Sequence, residues 1–255
     1  MNNGRSAQNG NVIVIDELVK QFDDITAVNG LNLEIRRGEM FGFLGPNGAG
    51  KTTTISMLSG LLKPTSGSAQ IAGFDIGKEP QKVKALIGVC PQEAAVFKFL
   101  TGMENLVLFG NLHGMDKKIL KERAAELVKQ ADFSEAAGRR TKGYSGGMMR
   151  QINLMIALIS DPDIVFLDEP TVGMDARARR RTWEYIGSLK DQGKTVILTT
   201  HYIEEAEALS DRVGIIDYGE LIALGTPAEL MAEHEVKDLE SVFLNITGRR
   251  IAEGS

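Results

Sequence analysis

One nonamer, Gly45-Pro46-Asn47-Gly48-Ala49-Gly50-Lys51-Thr52-Thr53, constrains the fold more than any other stretch of this 255-residue chain. It follows a short apolar run, Met40 to Leu44, which predicts a buried strand. The apolar residues after it have helical spacing and predict an amphipathic helix; they are Ile55, Leu58, Leu61 and Leu62. A glycine-rich loop between a strand and a helix is the context that a phosphate-binding loop requires.

The chemistry of the nonamer also suits a nucleotide. Its glycines let the backbone fold tightly and turn successive N–H groups toward a phosphate. A helix that starts near Gly50 adds free N–H groups and the positive end of its dipole. Lys51 is a mobile charge suited to the outer phosphates, and the Thr52 hydroxyl is an oxygen ligand suited to Mg²⁺. The alternative is a glycine-rich turn with a chance lysine, but pattern and flanks together favour a nucleoside triphosphate site.

The order of the remaining elements predicts an α/β fold with a P-loop parallel-sheet core. Strand and helix patterns alternate after Pro162, which is typical of a parallel sheet flanked by helices. The stretch from Thr101 to about Ser160 is helical and reads as an insertion into that core. The other predicted strands precede it; they are Val12 to Ile15, Leu31 to Ile35, Ser68 to Ile71 and Ile87 to Cys90, of which Ser68 to Ile71 would extend an N-terminal sheet.

Composition excludes several classes of protein. The net charge of −5 and the pI of about 5.4 predict no overall attraction to nucleic acid or anionic lipid. The single cysteine, Cys90, excludes an internal disulfide and a cysteine-rich metal site, which fits a reducing compartment. No apolar run approaches the roughly 18 residues of a membrane-spanning helix. We therefore expect any membrane role to involve a partner.

Two acids stand at the end of a predicted strand, where Ile164 to Leu167 is followed by Asp168 and Glu169. In open parallel sheets, ligands bind beyond the carboxyl ends of the strands, so this pair should lie beside the phosphate loop. Asp168 could then hold Mg²⁺ through water, and Glu169 could orient or deprotonate an attacking water. A capping pair at a strand–helix junction is the alternative; the phosphate loop makes it the weaker one.

Three further positions carry weaker signals. Ser145 is a good N-cap for the helix that follows, and Gly146 and Gly147 leave its N–H groups uncovered, as in a second phosphate-binding helix end or a simple glycine-rich cap. His201 follows the predicted strand Thr195 to Thr199. Gln92 follows a strand end at Pro91, where its amide could reach metal or water. Taken alone, neither His201 nor Gln92 would indicate a site.

Together these motifs resemble the ATP-binding subunit of an ABC transporter, because their order and rough spacing match from Phe22 to His201. The resemblance identifies Gly45 to Thr53 as the Walker A loop, Gln92 as the Q-loop glutamine and Tyr144 to Met148 as the signature motif. It further identifies Leu167 to Thr171 as the end of Walker B, Gly173 to Asp175 as the D-loop and His201 as the switch histidine. Phe22 corresponds to the aromatic residue that stacks on adenine, and Val28 to an apolar contact nearby.

Three residues depart from the family pattern. Tyr144 and Met148 replace the usual Leu and Gln of the signature motif, and Met174 replaces the usual Leu of the D-loop. The serine, glycines and acids are kept, so we expect activity. These variants, with two segments near the end, 225–230 and 238–244, resemble subunits of ABC-2 type exporters, which move drugs, polysaccharides, lipids or ions outward.

The resemblance implies a mechanism in which each ATP is held between two subunits, a homodimer being expected. ATP would lie between Lys51 of one chain and Ser145, Gly146 and Gly147 of the other, with Asp175 in the adjoining D-loop. Glu169, His201 and Gln92 would be catalytic, and Mg²⁺ would be held by Thr52, Gln92 and Asp168. Gln92 and the helical insertion would relay closure to a membrane permease, which would keep the chain at the cytoplasmic face of the cell membrane.

Two alternatives remain at this stage. The first is a non-transport ABC ATPase acting on nucleic acid or the ribosome. Such a protein is expected to carry long coiled coils, cysteine metal sites or a second cassette, and this sequence shows none of them. The acidic pI of this chain also disfavours a nucleic-acid partner. The signature motif and His201 argue against a P-loop kinase or a soluble regulator. We expect one ATPase domain over 12–248, an insertion over about 95–160, and flexible termini at 1–11 and 249–255.

Overall fold

A computed structural model of the chain describes residues 10–93 and 95–248. The strands, in chain order, are β1 (Asn11–Phe22), β2 (Ile25–Arg36), β3 (Met40–Leu44), β4 (Ser66–Ile71), β5 (Phe74–Asp75), β6 (Ile87–Cys90), β7 (Ile164–Asp168), β8 (Thr195–Thr200), β9 (Arg212–Asp217) and β10 (Glu220–Gly225). The helices are α1 (Lys51–Leu58), α2 (Pro80–Lys84), α3 (Gly102–Leu112), α4 (Lys117–Gln130), α5 (Ser134–Ala137), α6 (Gly146–Leu158), α7 (Ala176–Asp191), α8 (Ile203–Leu209), α9 (Pro227–Glu233) and α10 (Leu239–Thr247).

The termini that we expected to be flexible, 1–11 and 249–255, lie outside the described residues except for positions 10 and 11. Asn11 is already the first residue of β1, where it pairs with Arg36 of β2. The antiparallel sheet therefore begins one residue earlier than the predicted domain boundary at 12.

The N-terminal sheet is antiparallel, with strand order β2-β1-β4-β5. The predicted extension by the fourth strand is confirmed, since Ile13 pairs with Ile71. Strands β1 and β2 run well beyond the short stretches read from the sequence. Register shifts interrupt their pairing after Ile15 and after Leu18, and Glu17 has a positive φ of 47°. These irregularities break the period-2 alternation that would have marked the full strands.

The core sheet has the order β10-β9-β3-β8-β7-β6. Pairing is parallel from β9 through β6, as predicted, and β10 adds an antiparallel edge that the sequence analysis did not identify. Every residue of β3, β7 and β8 is buried. Such continuous apolar runs arise because layers cover both faces of the sheet. Since neighbouring strands are parallel, the carboxyl ends of β3, β8, β7 and β6 meet at one edge.

Alternate residues of β7 belong to two different apolar clusters. Ile164 and Phe166 pack on the side of the N-terminal sheet, whereas Val165 and Leu167 pack on the side of the helices between β6 and β7. The α/β fold with an antiparallel subdomain and a helical insertion is thus confirmed. The helices α3 to α6 form the insertion, and the exact domain boundaries stay a prediction.

The first helix is shorter than predicted. Helix α1 ends at Leu58, and Gly60 follows with a positive φ of 69°. The amides of Leu61 and Leu62 both bond to the Ser56 carbonyl at 2.9 Å, and 69% of Leu61 is exposed. The prediction that these two leucines continue the amphipathic helix was therefore wrong, because the chain turns before reaching them.

Gly88 in β6 lies at a close approach between the core sheet and the helical insertion. A Cβ at Gly88 would lie 2.0 Å from the Ala157 carbonyl oxygen and 2.8 Å from Pro162 Cγ. Gly187 in α7 offers a contrast, since a Cβ there would meet no atom within 4 Å. The absence of a side chain is thus required at Gly88 and not at Gly187.

We expect Gly88→Ala to lower the free energy of unfolding by about 1–3 kcal/mol, because the added methyl forces α6 away from the sheet. Gly187→Ala is the matched control. It should raise the free energy of unfolding by about 0.5–1 kcal/mol, since alanine has the better helix propensity. Urea unfolding followed by circular dichroism measures both values, and equal effects of the two variants would contradict the close approach.

Candidate functional site

The phosphate loop lies between β3 and α1, at the carboxyl edge of the core sheet. The Gly45 amide donates to the Thr200 carbonyl at 3.3 Å, which ties the start of the loop to the end of β8. A Cβ at Gly45 would lie 2.2 Å from the Ile216 carbonyl oxygen, and one at Gly50 would lie 2.3 Å from the Ala27 carbonyl oxygen. Gly50 also has a φ of 104°. Close backbone contacts on two sides therefore require glycine at both positions.

The two residues assigned to the adenine base lie near the β1–β2 hairpin. Phe22 ends β1 with 44% of its surface exposed, and the Lys20 ammonium lies 4.9 Å from its ring centroid. Val28 lies beside Gly50, with Val28 Cγ2 3.4 Å from the position of a Cβ on that glycine. Only 1% of Val28 is exposed, so its side chain packs in the core. The ring of Phe22 is the more accessible of the two surfaces.

Lys51 is the first residue of α1 and is buried, with a relative exposure of 4%. Its ammonium donates to the Gly45 carbonyl at 2.7 Å and the Pro46 carbonyl at 2.9 Å, and lies 3.9 Å from Glu169 Oε1. Burial lowers the pKa of Lys51, while the carboxylates of Glu169 and Asp168 counter part of that shift. The loop thus folds back over its own lysine and holds the cation at the sheet edge.

Asp168 ends β7 and lies directly beside Thr52 of the phosphate loop. The Thr52 hydroxyl donates to Asp168 Oδ1 at 3.0 Å, and the Thr199 hydroxyl of β8 donates to the same oxygen. Burial raises the pKa of Asp168, although both hydroxyl donors oppose that shift. The predicted proximity of this acid to the loop is present in the structure. The contribution of Thr199 escaped the sequence analysis.

Glu169 lies immediately after β7 with a positive φ of 49°. Its backbone N–H donates to the Thr199 carbonyl and hydroxyl, both at 3.1 Å, which fixes this unusual conformation. On the side chain, Oε1 lies 2.9 Å from His201 Nδ1, and Oε2 accepts from Gln92 Nε2 at 3.1 Å. Both carboxylate oxygens are therefore held, one by the residue that follows β8 and one by the segment after β6.

Burial alone would raise the pKa of Glu169, but the hydrogen bond and charge of His201 and the charge of Lys51 hold it below the usual value. An ionised carboxylate only accepts hydrogen bonds, so His201 Nδ1 carries the proton of that contact. His201 Nε2 is buried and has no hydrogen-bond partner among the described residues. This ring nitrogen is therefore available to a ligand.

The oxygen donors at this edge suit Mg²⁺. No cluster of three or more His, Cys, Asp or Glu residues suitable for a metal occurs within residues 10–93 and 95–248. Mg²⁺ commonly takes only one or two protein ligands and completes its shell with water and substrate phosphates. The adjacent Thr52 and Asp168 oxygens fit that requirement. Gln92 is exposed, and its amide nitrogen donates to Glu169, so its amide oxygen is not used in that contact.

The signature motif lies at the start of α6. Ser145 is the N-cap of that helix and accepts from the Met148 amide at 3.3 Å. The atom nearest to a Cβ on Gly146 is the Gly173 carbonyl oxygen, and for Gly147 it is Met174 Cγ. The motif therefore lies against the D-loop of its own chain.

The D-loop ends where α7 begins. Asp175 is the N-cap of α7 and accepts from the Ala178 amide at 2.9 Å. Met174, one of the three departures from the family pattern, is 6% exposed, and its sulfur accepts from the Thr182 hydroxyl at 3.3 Å. This departure is a packing residue and leaves the acid at the helix end in place.

Tyr144 and Met148, the two departures in the signature motif, are also packing residues. The Tyr144 hydroxyl donates to the Ala136 carbonyl at 2.7 Å, and its ring packs edge-on against Phe133 with 5.5 Å between centroids. Met148 packs at the margin of the apolar cluster that contains Phe133. These side chains pack the signature motif against the rest of the helical insertion, so the replacements change packing and leave the serine and the glycines in place.

Helix α6 also fixes the start of the Q-loop, which sequence reasoning missed. Asn153 is 1% exposed, and its amide donates to the Pro91 carbonyl at 3.0 Å and to Cys90 Sγ at 3.3 Å. Arg150 donates to the same carbonyl at 3.2 Å. The available signal was a lone asparagine within a nearly all-apolar helix, since a buried amide needs partners.

Comparison with known proteins agrees with this geometry. The family model "ABC transporter" matches residues 28–172. The chain is 46% identical over 213 residues to the daunorubicin/doxorubicin resistance ATP-binding protein DrrA of Streptomyces peucetius, which covers 84% of this chain and 64% of that protein. It is 45% identical over 215 residues to the linearmycin resistance ATP-binding protein LnrL of Bacillus subtilis (84% and 69%). It is 40% identical over 225 residues to the Nod factor export ATP-binding protein I of Ralstonia nicotianae (88% and 70%). The chain thus spans about two thirds of the length of these relatives.

Solved structures show the same fold. An ATP-binding subunit of an ABC transporter superposes with a TM-score of 0.84 at 24% identity, over 92% of this chain and 99% of that one. A cassette solved as a dimer, in a post-hydrolysis state with ADP and Pi bound, superposes with a TM-score of 0.77 at 26% identity, over 84% and 98%. The described residues contain no helix long and apolar enough to cross a membrane. The resemblance drawn from the motifs is confirmed: the chain belongs to the ABC transporter family, whose ATP-binding, ATP-hydrolysing cassette it contains.

Proposed function

We propose that the chain is the ATP-hydrolysing motor subunit of an ABC-2 type exporter. The observation that carries this proposal is the arrangement around Glu169, where Gln92 and His201 hold the two carboxylate oxygens and Lys51 lies 3.9 Å away. Phosphoryl transfer to water depends on positioning and on stabilising charge, and a cation near the phosphate loop, an aligned carboxylate and an available ring nitrogen can serve these tasks.

In this proposal, Lys51 and the loop amides bind the outer phosphates. Glu169 orients the attacking water, and His201 Nε2 contacts the γ-phosphate. The low pKa of Glu169 keeps it ionised at neutral pH, which suits it to orienting and polarising water more than to removing a proton. Electrostatic positioning would then carry most of the catalysis. Phe22 would stack on the adenine, with Val28 behind the loop.

Mg²⁺ would be held by Thr52 and Asp168, with Gln92 contributing its amide oxygen. When bound, the ion would neutralise charge on the phosphates. Thr199 positions Asp168 for this task through its hydroxyl.

The chain would work in pairs, each ATP lying between Lys51 of one subunit and Ser145, Gly146 and Gly147 of the other. Ser145 supports this reading because its side chain accepts from the Met148 amide of its own helix, and the N–H groups of Gly146 and Gly147, in the first turn of that helix, have no intrahelical acceptor. Asp175 would complete the contact from the D-loop. A related cassette has been solved as a dimer with ADP and Pi.

The direction of transport rests on the relatives, whose names describe drug resistance and Nod factor export. We extend export to this chain. In this proposal a membrane permease provides the path for the cargo and holds this chain at the cytoplasmic face. Gln92 and the helical insertion would couple nucleotide state to that permease.

Replacing Glu169 by Gln should lower the ATP turnover number at least about 100-fold, because the water loses its ionised acceptor. ATP affinity should stay within a few fold of wild type, since the phosphate contacts of Lys51 are kept. Phosphate release and a nucleotide-binding titration measure the two quantities. Glu204→Gln, an exposed change, is the control and should hydrolyse normally. Turnover by Glu169→Gln near the wild-type rate would remove Glu169 from catalysis.

Replacing Lys51 by Ala should weaken ATP binding by about 10- to 100-fold, as expected when a charge-assisted contact to phosphate is lost. Lys63→Ala, at an exposed position beyond α1, is the matched control and should bind ATP normally. Isothermal titration calorimetry gives both affinities. Unchanged binding by Lys51→Ala would contradict the placement of the phosphates at the loop.

The transport role predicts a physical partner. We expect the tagged chain, purified from detergent-solubilised native membranes, to bring down a polytopic membrane protein in near-equal amount. Mass spectrometry identifies the partner, and reconstitution of the pair in vesicles should couple ATP turnover to cargo movement. Recovery only from the soluble fraction, together with ribosomes or nucleic acid, would instead support a non-transport ATPase.

A further inference from the structure

Glu205 of α8 is a buried carboxyl group that the proposed mechanism does not use. Its relative exposure is 0%, in a helix that begins two residues after His201. Burying an ionisable group is costly unless hydrogen bonds compensate it. The position therefore requires specific partners, and these partners come from two other segments of the chain.

One oxygen of Glu205 joins the three segments. Glu205 Oε1 accepts from the Thr171 hydroxyl at 2.6 Å and from the Trp183 indole N–H at 2.8 Å. Thr171 lies two residues after Glu169, and Trp183 lies in the middle of α7. We call these three side chains the Glu205 cluster.

The segments joined by the Glu205 cluster are those that carry the assigned site residues. Helix α7 starts at the N-cap Asp175, and α8 follows His201 directly. A stack of side chains runs alongside, since the Tyr202 ring lies 4.3 Å from the His201 ring and 4.6 Å from the Arg179 guanidinium. A shift of either helix would therefore be transmitted to the other, and to the loop of His201.

One polar atom in the Glu205 cluster and one beside it are unpaired within the described residues. Glu205 Oε2 and Arg179 Nε are both buried and lack hydrogen-bond partners within the part of the chain that the structure describes. Burial raises the pKa of Glu205, against the opposing hydrogen bonds of Thr171 and Trp183 and the charge of Arg179. Buried polar atoms without a partner are uncommon in folded proteins, so each one calls for an explanation.

We propose that Glu205 is a positioning residue for ATP hydrolysis, which couples the loop of His201 to the D-loop helix through its hydrogen bonds to Thr171 and Trp183. The inference rests on the proposed hydrolysis. Glu205 touches neither substrate nor reacting atoms; it acts through the placement of His201 beside Glu169. The positioning depends on the two hydrogen bonds that Oε1 accepts. A neutral side chain of the same shape that also accepts them should therefore keep most of the activity.

Three substitutions separate this role from simple packing. Glu205→Met keeps the length of the side chain but removes the acceptor, and Glu205→Gln keeps a carbonyl acceptor. Glu204→Met makes the same change at the exposed neighbouring position. We expect Glu205→Met to lower kcat about 10-fold or more through misplacement of His201, with KM for ATP nearly unchanged. Glu205→Gln should restore most of the activity, and Glu204→Met should match wild type.

Trp183 supplies a second readout, because it is the only tryptophan of the chain. Its fluorescence emission should change when ATP is added to the wild-type chain, since the Glu205 cluster responds to the position of His201. The response should disappear in Glu205→Met and persist in Glu205→Gln. If Glu205→Met does not fold, Thr171→Val takes its place in the test. This variant removes one hydroxyl at nearly constant volume and should weaken the fluorescence response to ATP.

The outcomes are distinct from those for the proposed function. Wild-type kcat in a folded Glu205→Met or Thr171→Val chain, or an ATP-independent Trp183 emission in wild type, would overturn the positioning role and leave hydrolysis intact. Equal loss of kcat in Glu205→Met and Glu205→Gln would also overturn it, since the acceptor would then not be what matters. A wild-type chain that does not hydrolyse ATP would instead refute the proposed function.

Discussion

The site depends on one electrostatic constraint, which is the pairing of buried charges at the carboxyl edge of the core sheet. Lys51, Asp168 and Glu169 are each at most 4% exposed. An isolated charge at such depth would be strongly destabilising, so each of the three requires the others or a ligand. The strand order makes the pairing possible, because β3, β8 and β7 are neighbours and deliver the phosphate loop, His201 and the two acids to the same edge.

The two adjacent acids are given different environments. Asp168 accepts hydroxyl donors from Thr52 and Thr199, and burial still raises its pKa. Glu169 accepts from His201 and Gln92, and its pKa is lowered despite burial. Environments that push the pKa values of neighbouring acids apart commonly assign them separate roles. The hydroxyl donors leave the pKa of Asp168 raised, whereas the donors and charges around Glu169 more than offset its burial, and this difference supports the separate roles proposed for the two acids.

The sequence predicted the parts of the site that are contiguous motifs at strand ends, because parallel strands bring their carboxyl ends together whatever the intervening chain does. It did not predict Thr199, Asn153 or Glu205. Their partners are 31, 62 and 34 residues away, at Asp168, Pro91 and Thr171, so no local pattern marks them. The irregular hairpin of β1 and β2 was underestimated for a related reason, since register shifts erase the alternation that identifies a strand.

The hydrogen bonds of Glu169 also divide it between the two halves of the molecule. His201 directly follows β8 of the core sheet, whereas Gln92 follows Pro91, whose carbonyl is held by Asn153 and Arg150 of α6. Helix α6 begins at the signature motif. Glu169 Oε2 is therefore held from the side of the helical insertion, and Oε1 from the carboxyl end of β8. Hydrogen bonds to the carbonyl of one proline thus connect the helix that begins at the signature motif with the segment that holds Glu169.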